Sequence, residues 1–341
     1  MTGRTQAAGL RLLADIGGTN ARFALQAAGG GFADIEVLAC RDHATLGAAL
    51  QAYLARARGR GLAVDGIRHA ALAIANPVEG DLVSMTNHHW RFSIEALRAA
   101  CGFDTLLVVN DFAALAMALP HLGDDGRTEI SEHRRDGHGV AVAIPGRPIG
   151  LIGPGTGLGV SCVVPVPGTS GARWIPLPGE GGHASFAPTD RREIRILEAL
   201  LDEFGHVSAE RLLCGAGLET IHRTLSGERL GAPAITGQAL DGSSAACRET
   251  VETFCAVLGC VAGNVALTLG ATGGMYIGGG IVPRLGPLLH GSAFRSRFEA
   301  KGRLQPYLAR IPTWLITEPY PALRGAAAML AGAVGVRQQA T

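Results

Sequence analysis

Four short stretches carry side chains able to do chemistry. In Leu12-Leu13-Ala14-Asp15-Ile16-Gly17-Gly18-Thr19-Asn20-Ala21-Arg22-Phe23-Ala24-Leu25 an acid stands beside a double-glycine bend that joins two strand-like limbs. Consecutive backbone N–H groups in such a bend form a concavity for anions, Thr19 and Asn20 add donors, and Asp15 would face a metal ion carried by a phosphate. Asn110-Asp111 follows the apolar run Leu106-Leu107-Val108-Val109 and precedes a helical run, so a carboxylate stands where a strand empties into a helix. A carboxylate there is either a helix cap or a base near a ligand, because open α/β sheets bind their ligands at the carboxyl ends of strands. The glycine-rich loop Leu177-Pro178-Gly179-Glu180-Gly181-Gly182-His183-Ala184-Ser185-Phe186 sets an acid and an imidazole three residues apart. Such a pair can accept from and donate to hydroxyl groups. Glu210 is a further acid, in what reads as the first turn of a helix capped by Ser208.

Two more glycine bends accompany these. Leu151-Ile152-Gly153-Pro154-Gly155-Thr156-Gly157-Leu158-Gly159-Val160 repeats the plan of the first, a strand, a glycine/threonine bend and a second strand. Its recurrence about half a chain later suggests two related lobes. Gly278-Gly279-Gly280 follows the short apolar run Met275-Tyr276-Ile277, and Pro283 favours a helix start just beyond, so a flat ring could lie on bare backbone. A Walker loop needs a lysine and a following helix, which the first bend lacks, and no dinucleotide-type G-x-G-x-x-G register fits the second.

The elements that must position these groups alternate. Helical spacing runs over Thr45 to Arg58, an apolar strand over Ala70 to Ala75 stops at Asn76-Pro77, and Ser93 can cap a helix to about Ala100. The order predicts an α/β fold with mainly parallel sheet. Asp190-Arg191-Arg192-Glu193 has capping-box order, a long helix from about Cys247 ends at Gly270, and Pro321 to Val336 reads as a helix packing back on the first lobe.

Composition narrows the function classes. The 341 residues are 47% apolar and 17% charged, with a net charge of +1, which suits a globular chain of about two domains and gives no field that would gather nucleic acid or an acidic membrane. Seven scattered cysteines form no C-x-x-C pair and read as reduced thiols of a cytoplasmic protein. The first eleven residues lack the apolar core of a signal peptide. The most apolar stretch, Cys247 to Leu269, is interrupted by Arg248, Glu249, Glu252 and Asn264 and reads as a core helix, not a membrane span.

These segments, together with Met85-Thr86-Asn87-His88-His89-Trp90 and Gly205-His206-Val207-Ser208-Ala209-Glu210-Arg211, resemble in kind and order the bacterial ATP-dependent glucokinases of the hexokinase/actin-like superfamily, outside its ROK branch. The resemblance implies a two-lobed, ribonuclease H-like α/β fold: a smaller α/β domain of residues 1–111 plus 318–341, a larger α+β domain of residues 112–317, and a cleft that closes on sugar. It implies transfer of the γ-phosphoryl of MgATP to the 6-hydroxyl of glucose. Asp111 then matches the catalytic base. Asn110, Asp111, Glu180, His183 and Glu210 match the sugar-binding positions. Ala14, Asp15, Ile16, Gly17, Gly18, Thr19 and Asn20 match the first phosphate loop, with Asp15 near the Mg²⁺ that travels with ATP. Gly155, Thr156 and Gly157 match the second loop, and Gly278, Gly279 and Gly280 the adenosine contact. A homodimer is implied by the same analogy.

ROK proteins bind zinc through a cysteine cluster shortly after the sugar-binding histidine; here no cysteine lies between His183 and Cys214, so no structural metal is expected. The alternatives are a kinase for another hexose, such as fructose or mannose, and a non-catalytic sugar-responsive regulator. The latter needs a DNA-binding segment, and about a dozen residues before the first strand are too few for one. The Gly123 to Gly139 segment and the insert near Pro165 to Ala172 carry no legible pattern.

Overall fold

The computed structural model describes residues 9–27, 30–86, 88–130, 141–167 and 173–339; Asn87 and parts of the 123–139 and 165–172 segments lie outside these. The chain divides into two compact units, one of Met1–His121 with Tyr320–Thr341 and one of Leu122–Pro319.

The first unit is built on strands β1 (Arg11–Ile16), β2 (Asn20–Gln26), β3 (Phe32–Ala39), β4 (His69–Ile74) and β7 (Thr105–Asn110), in the order β3-β2-β1-β4-β7. A small hairpin of β5 (Leu82–Ser84) and β6 (Arg91–Ser93) stands apart. Strands β1, β4 and β7 run parallel, while β2 and β3 are added antiparallel. One face of this sheet buries Leu12, Ala14, Ile16 and Phe23 against the helix Leu46–Gly59, whose Tyr53 ring stacks on Phe23 at 5.1 Å. The other face, with Leu13, Ala24 and Ala71, is covered by Leu323, Ala326, Ala327 and Leu330 of the helix Pro321–Gln339. Alternation along β2 therefore breaks at Ala24, because that side of the strand is covered as well.

The second unit repeats the plan. Its strands are β8 (Arg127–Glu129), β9 (Ile149–Pro154), β10 (Leu158–Val166), β11 (Arg173–Gly179), β12 (Met275–Ile277) and β13 (Thr313–Ile316), in the order β11-β10-β9-β12-β13-β8. Strands β9, β12 and β13 run parallel, and β10, β11 and β8 are antiparallel additions. Both sheets are thus mixed, not mainly parallel: the first two glycine bends are hairpins, and a hairpin necessarily reverses the strand that follows it. The helix Ala245–Leu269, capped by Ser244 and ended by Gly270 in the left-handed conformation, forms the spine of this unit's core. It is the one described helix long and apolar enough to cross a membrane, and 72% of its most apolar window is buried in the protein.

Candidate active site

In the first unit the bend between β1 and β2 is closed by the Gly17 N–H donating to the Asn20 carbonyl at 2.9 Å, and it is tied to the chain after β3 by the Cys40 N–H donating to the Thr19 carbonyl at 2.9 Å. Ala14 and Ile16 are buried in the strand, whereas Thr19 and Asn20 are exposed. Asp15 and Arg22 are cross-strand partners, and Arg22 Nη1 donates to Asp15 Oδ2 at 2.6 Å. Burial pushes the Asp15 carboxyl above its ordinary value of 3.8, against the opposing charge and hydrogen bond of Arg22. Neither Gly17 nor Gly18 adopts positive φ. Their value lies in bare backbone, not in a left-handed turn.

Asn110 ends β7, and the helix Asp111–Ala118 begins immediately after it. The cap is Asn110 and not Asp111: Asn110 Oδ1 accepts from the Ala113 N–H at 3.0 Å. Asp111 at the first helical position is then oriented by its neighbours, since its Oδ1 accepts from its own helix through the Phe112 N–H at 2.8 Å and from Asn110 Nδ2 at 3.2 Å. The helix dipole favours a carboxylate there. In the sheet register Ile16, Ile74 and Asn110 lie side by side. The first glycine bend and Asp111 therefore leave the same edge of one sheet, two strand spacings or roughly 10 Å apart.

In the second unit Glu180, His183 and Glu210 are brought together. His183 lies between two carboxylates, with Nε2 at 3.9 Å from Glu180 Oε2 and Nδ1 at 3.8 Å from Glu210 Oε1. The glycine-rich loop is held firmly: the Phe186 N–H donates to the Val207 carbonyl, the Ala209 N–H to the Ala184 carbonyl, both at 2.9 Å, and the His206 ring is 3.0 Å from the His183 carbonyl. Gly182 sits so close to β10 that a Cβ there would fall 2.0 Å from the Leu158 carbonyl oxygen. Glu210 lies in a single 3-10 turn, Ala209–Arg211, and Ser208 makes no side-chain cap. The α-helix expected there begins later, at Gly215, where Cys214 Sγ accepts from the Gly217 N–H at 3.3 Å.

The second glycine bend is closed by the Gly155 N–H donating to the Gly157 carbonyl at 2.8 Å. Glu210 Oε2 accepts from the Leu158 N–H at 2.8 Å, so one carboxylate touches this bend and faces His183 as well. Gly155, Thr156 and Gly280 line one cavity of about 430 Å³, together with Leu218, Pro233 and Arg284. The Gly215 N–H at the helix start donates to the Gly155 carbonyl at 3.1 Å, so a helix N-terminus, which attracts anions, abuts the cavity. Gly278 is buried behind it and Gly279, at φ 81°, packs on the Pro154 carbonyl, where a Cβ would approach to 2.2 Å. Leu218, Pro233 and Arg284 were not legible as site residues, since each is recruited by folding across the chain and none belongs to a local motif; Arg22 stands in the first glycine stretch, but only the strand pairing shows its contact with Asp15.

Comparison with known proteins gives a consistent family. The family model described as Glucokinase matches residues 12–333. The glucokinase of Chromobacterium violaceum is 54% identical, with 94% of this chain and 89% of that protein covered. A bifunctional protein glk of Paraburkholderia xenovorans is 50% identical over 95% of this chain, but the chain spans only about half, 49%, of that relative's length. Among solved structures, the glucokinase of an Antarctic psychrotroph is 34% identical, covers 95% of this chain and 99% of its own, and superposes with a TM-score of 0.81. The Balamuthia mandrillaris glucokinase in complex with glucose, 19% identical with a TM-score of 0.74 and covering 95% and 94% of the two chains, shares the fold. With its family model running through both units, and with relatives matching it almost end to end, this chain belongs to the glucokinase family.

Proposed function

We propose that the chain phosphorylates glucose at the 6-hydroxyl, using MgATP and releasing ADP. The observation that carries this reading is the alignment of Ile16, Ile74 and Asn110, which sets a glycine bend suited to phosphate and the Asp111 carboxylate on one sheet edge. Two strand spacings, roughly 10 Å between backbones, leave room for a terminal phosphate on the bend and a hydroxyl beside Asp111. Asp111 accepts the hydroxyl proton as the oxygen attacks phosphorus, a contribution of about 10²–10⁴-fold for a well-placed base. The backbone N–H groups of the first bend and Thr19 hold the terminal phosphates, and Asp15 faces the metal ion that ATP brings; its half-buried, Arg22-paired carboxylate suits contact through that ion's water shell. The cavity beside Gly155 and Gly280 takes the nucleoside, with apolar walls for the base and Arg284 for charge.

Glu180, His183 and Glu210 hold sugar hydroxyls, supported by their mutual placement and by the anchoring of their loop. Groups that each expect a hydroxyl partner are left unpaired by the wrong epimer, which gives discrimination a physical source. Structural zinc is no part of this reading, because no cysteine stands between His183 and Cys214. All seven cysteines are free thiols, which supports a reducing, cytoplasmic setting. The resemblance to bacterial glucokinases supports a homodimer, which sedimentation would test.

The deciding experiment is a coupled assay of ADP release with glucose, fructose and mannose, wild type beside Asp111→Ala. Glucose is expected as the preferred substrate, with turnover lost in the variant. Equal turnover by both proteins would remove Asp111 as the base, and glucose binding without turnover of any hexose would favour a regulator.

A further inference from the structure

The two residues that follow β4 join three parts of the first unit. The Ala75 N–H donates to the carbonyl of Ile16, the last residue before the first glycine bend, at 3.0 Å. The Asn76 carbonyl accepts from Asn110 Nδ2 at 3.4 Å. Asn76 Oδ1 accepts twice from Thr86, from the backbone N–H at 2.9 Å and from the hydroxyl at 2.5 Å, while Asn76 Nδ2 donates to the Pro77 carbonyl at 2.9 Å. Both polar atoms of the side chain are thus in use. Thr86 itself is exposed, but its neighbour Met85 and the nearby Val83 and Trp90 are buried in the sheet's core, and the Met85 N–H donates to the Trp90 carbonyl at 3.0 Å. The segment is anchored from below by apolar side chains and from above by one amide.

We infer that Asn76 is a positioning residue for the reaction: it fixes Thr86 through its side chain and Asn110 through its carbonyl, and Asn110 in turn holds the Asp111 carboxylate. The inference rests on the reading of Asp111 as the base. An amide suits the post. A carboxylate would keep the acceptor for Thr86 and lose the donor to Pro77, an alanine would leave the Thr86 donors to solvent, and only a group with both an acceptor and a donor serves Thr86 and Pro77 together.

The test uses the full chain as wild type, Asn76→Ala, Asn76→Asp and Thr86→Val, read by hydrogen exchange with mass spectrometry and by steady-state kinetics with glucose and MgATP. In Asn76→Ala, exchange at Thr86 should quicken about tenfold or more as its acceptor is lost. The backbone carbonyl of residue 76 remains, but without the side-chain bonds that fix it, it should hold Asn110 less closely, so kcat should fall by about tenfold, as a small displacement of a catalytic group commonly costs, with the KM for ATP within about twofold of wild type. Asn76→Asp, which keeps the acceptor oxygens, should restore the slow exchange and recover much of kcat; Thr86→Val, which keeps the backbone bond, should fall between. Unchanged exchange in Asn76→Ala overturns the bracket whatever the activity. Faster exchange with kcat and the glucose KM unchanged makes Asn76 a purely structural residue and overturns the positioning role. Should wild type turn over no hexose at all, the functional reading fails on its own, and the positioning role for this reaction falls with it while the exchange data still decide whether Asn76 holds Thr86.

Discussion

Arg22 reaches across the first hairpin to Asp15 with a 2.6 Å contact between Nη1 and Oδ2, so the acid beside the glycine bend has its charge partner built into the paired strand. Burial raises the Asp15 pKa, and Arg22 works against that rise through charge and hydrogen bonding. Removing Arg22 leaves burial unopposed. The acidic limb of kcat/KM for glucose phosphorylation should therefore move to higher pH in Arg22→Met, and less far in Arg22→Lys, which keeps a charge. Coincident pH profiles for wild type and Arg22→Met would show that the ionisation of Asp15 does not govern turnover.

The cap and the proposed base fall on adjacent residues, which lets them be separated. Asp111→Asn should lower kcat by about 10²–10⁴-fold. Because the cap belongs to Asn110, the same variant should leave the thermal midpoint close to wild type. Asn110→Ala should instead cost about 0.5–2 kcal/mol of stability through the lost cap, in addition to any loss of activity. Paired denaturation and rate measurements check both; a strongly destabilised Asp111→Asn would contradict the division.

The second bend and the proposed sugar-binding cluster share Glu210. A Cβ at Gly157 would stand 2.4 Å from Glu210 Oε2, whereas one at Gly155 would meet nothing nearer than 3.9 Å. Gly157→Ala should displace the carboxylate and lower kcat/KM for glucose by about tenfold or more, as expected when a substrate-holding group is moved. Gly155→Ala should keep glucose kinetics near wild type. Kinetics in both substrates distinguish the cases, and an indifferent Gly157→Ala would mean that Glu210 does not hold the sugar.

The helix that carries Asp111 is seated on the helix Pro321–Gln339 at a glycine. A Cβ at Gly325 would lie 1.6 Å from the Ala114 carbonyl oxygen and 3.0 Å from the Ala118 nitrogen, so the two backbones touch. Gly325→Ala should destabilise the protein by about 1–3 kcal/mol or more and lower activity by shifting that helix. Gly332→Ala, in the same helix with open space around it, should stabilise by about 0.5–1 kcal/mol. Denaturant unfolding of the two variants gives the comparison, and equal effects would remove the close crossing as the cause.

The sequence alone determined the local elements, since the signals for them are local: Ser93 and Asp190 cap the helices Ile94–Cys101 and Arg191–Leu201, Gly270 ends the long helix, and both glycine bends join strand pairs. It also determined the family, because the diagnostic residues cluster in short contiguous runs. Tertiary structure decided what lies far apart along the chain. Residues 52 apart became partners when Glu210 bonded the Leu158 N–H, and residues 34 apart when Asn110 bonded the Asn76 carbonyl. It turned the expected parallel sheets into mixed ones, gave the cap to Asn110 in place of Asp111, and fastened a glycine-rich loop against Val207 and Ala209. Spacing and propensity act over a turn or a hairpin, whereas these partners were fixed only when folding brought distant segments into register and the buried polar groups had to find one another.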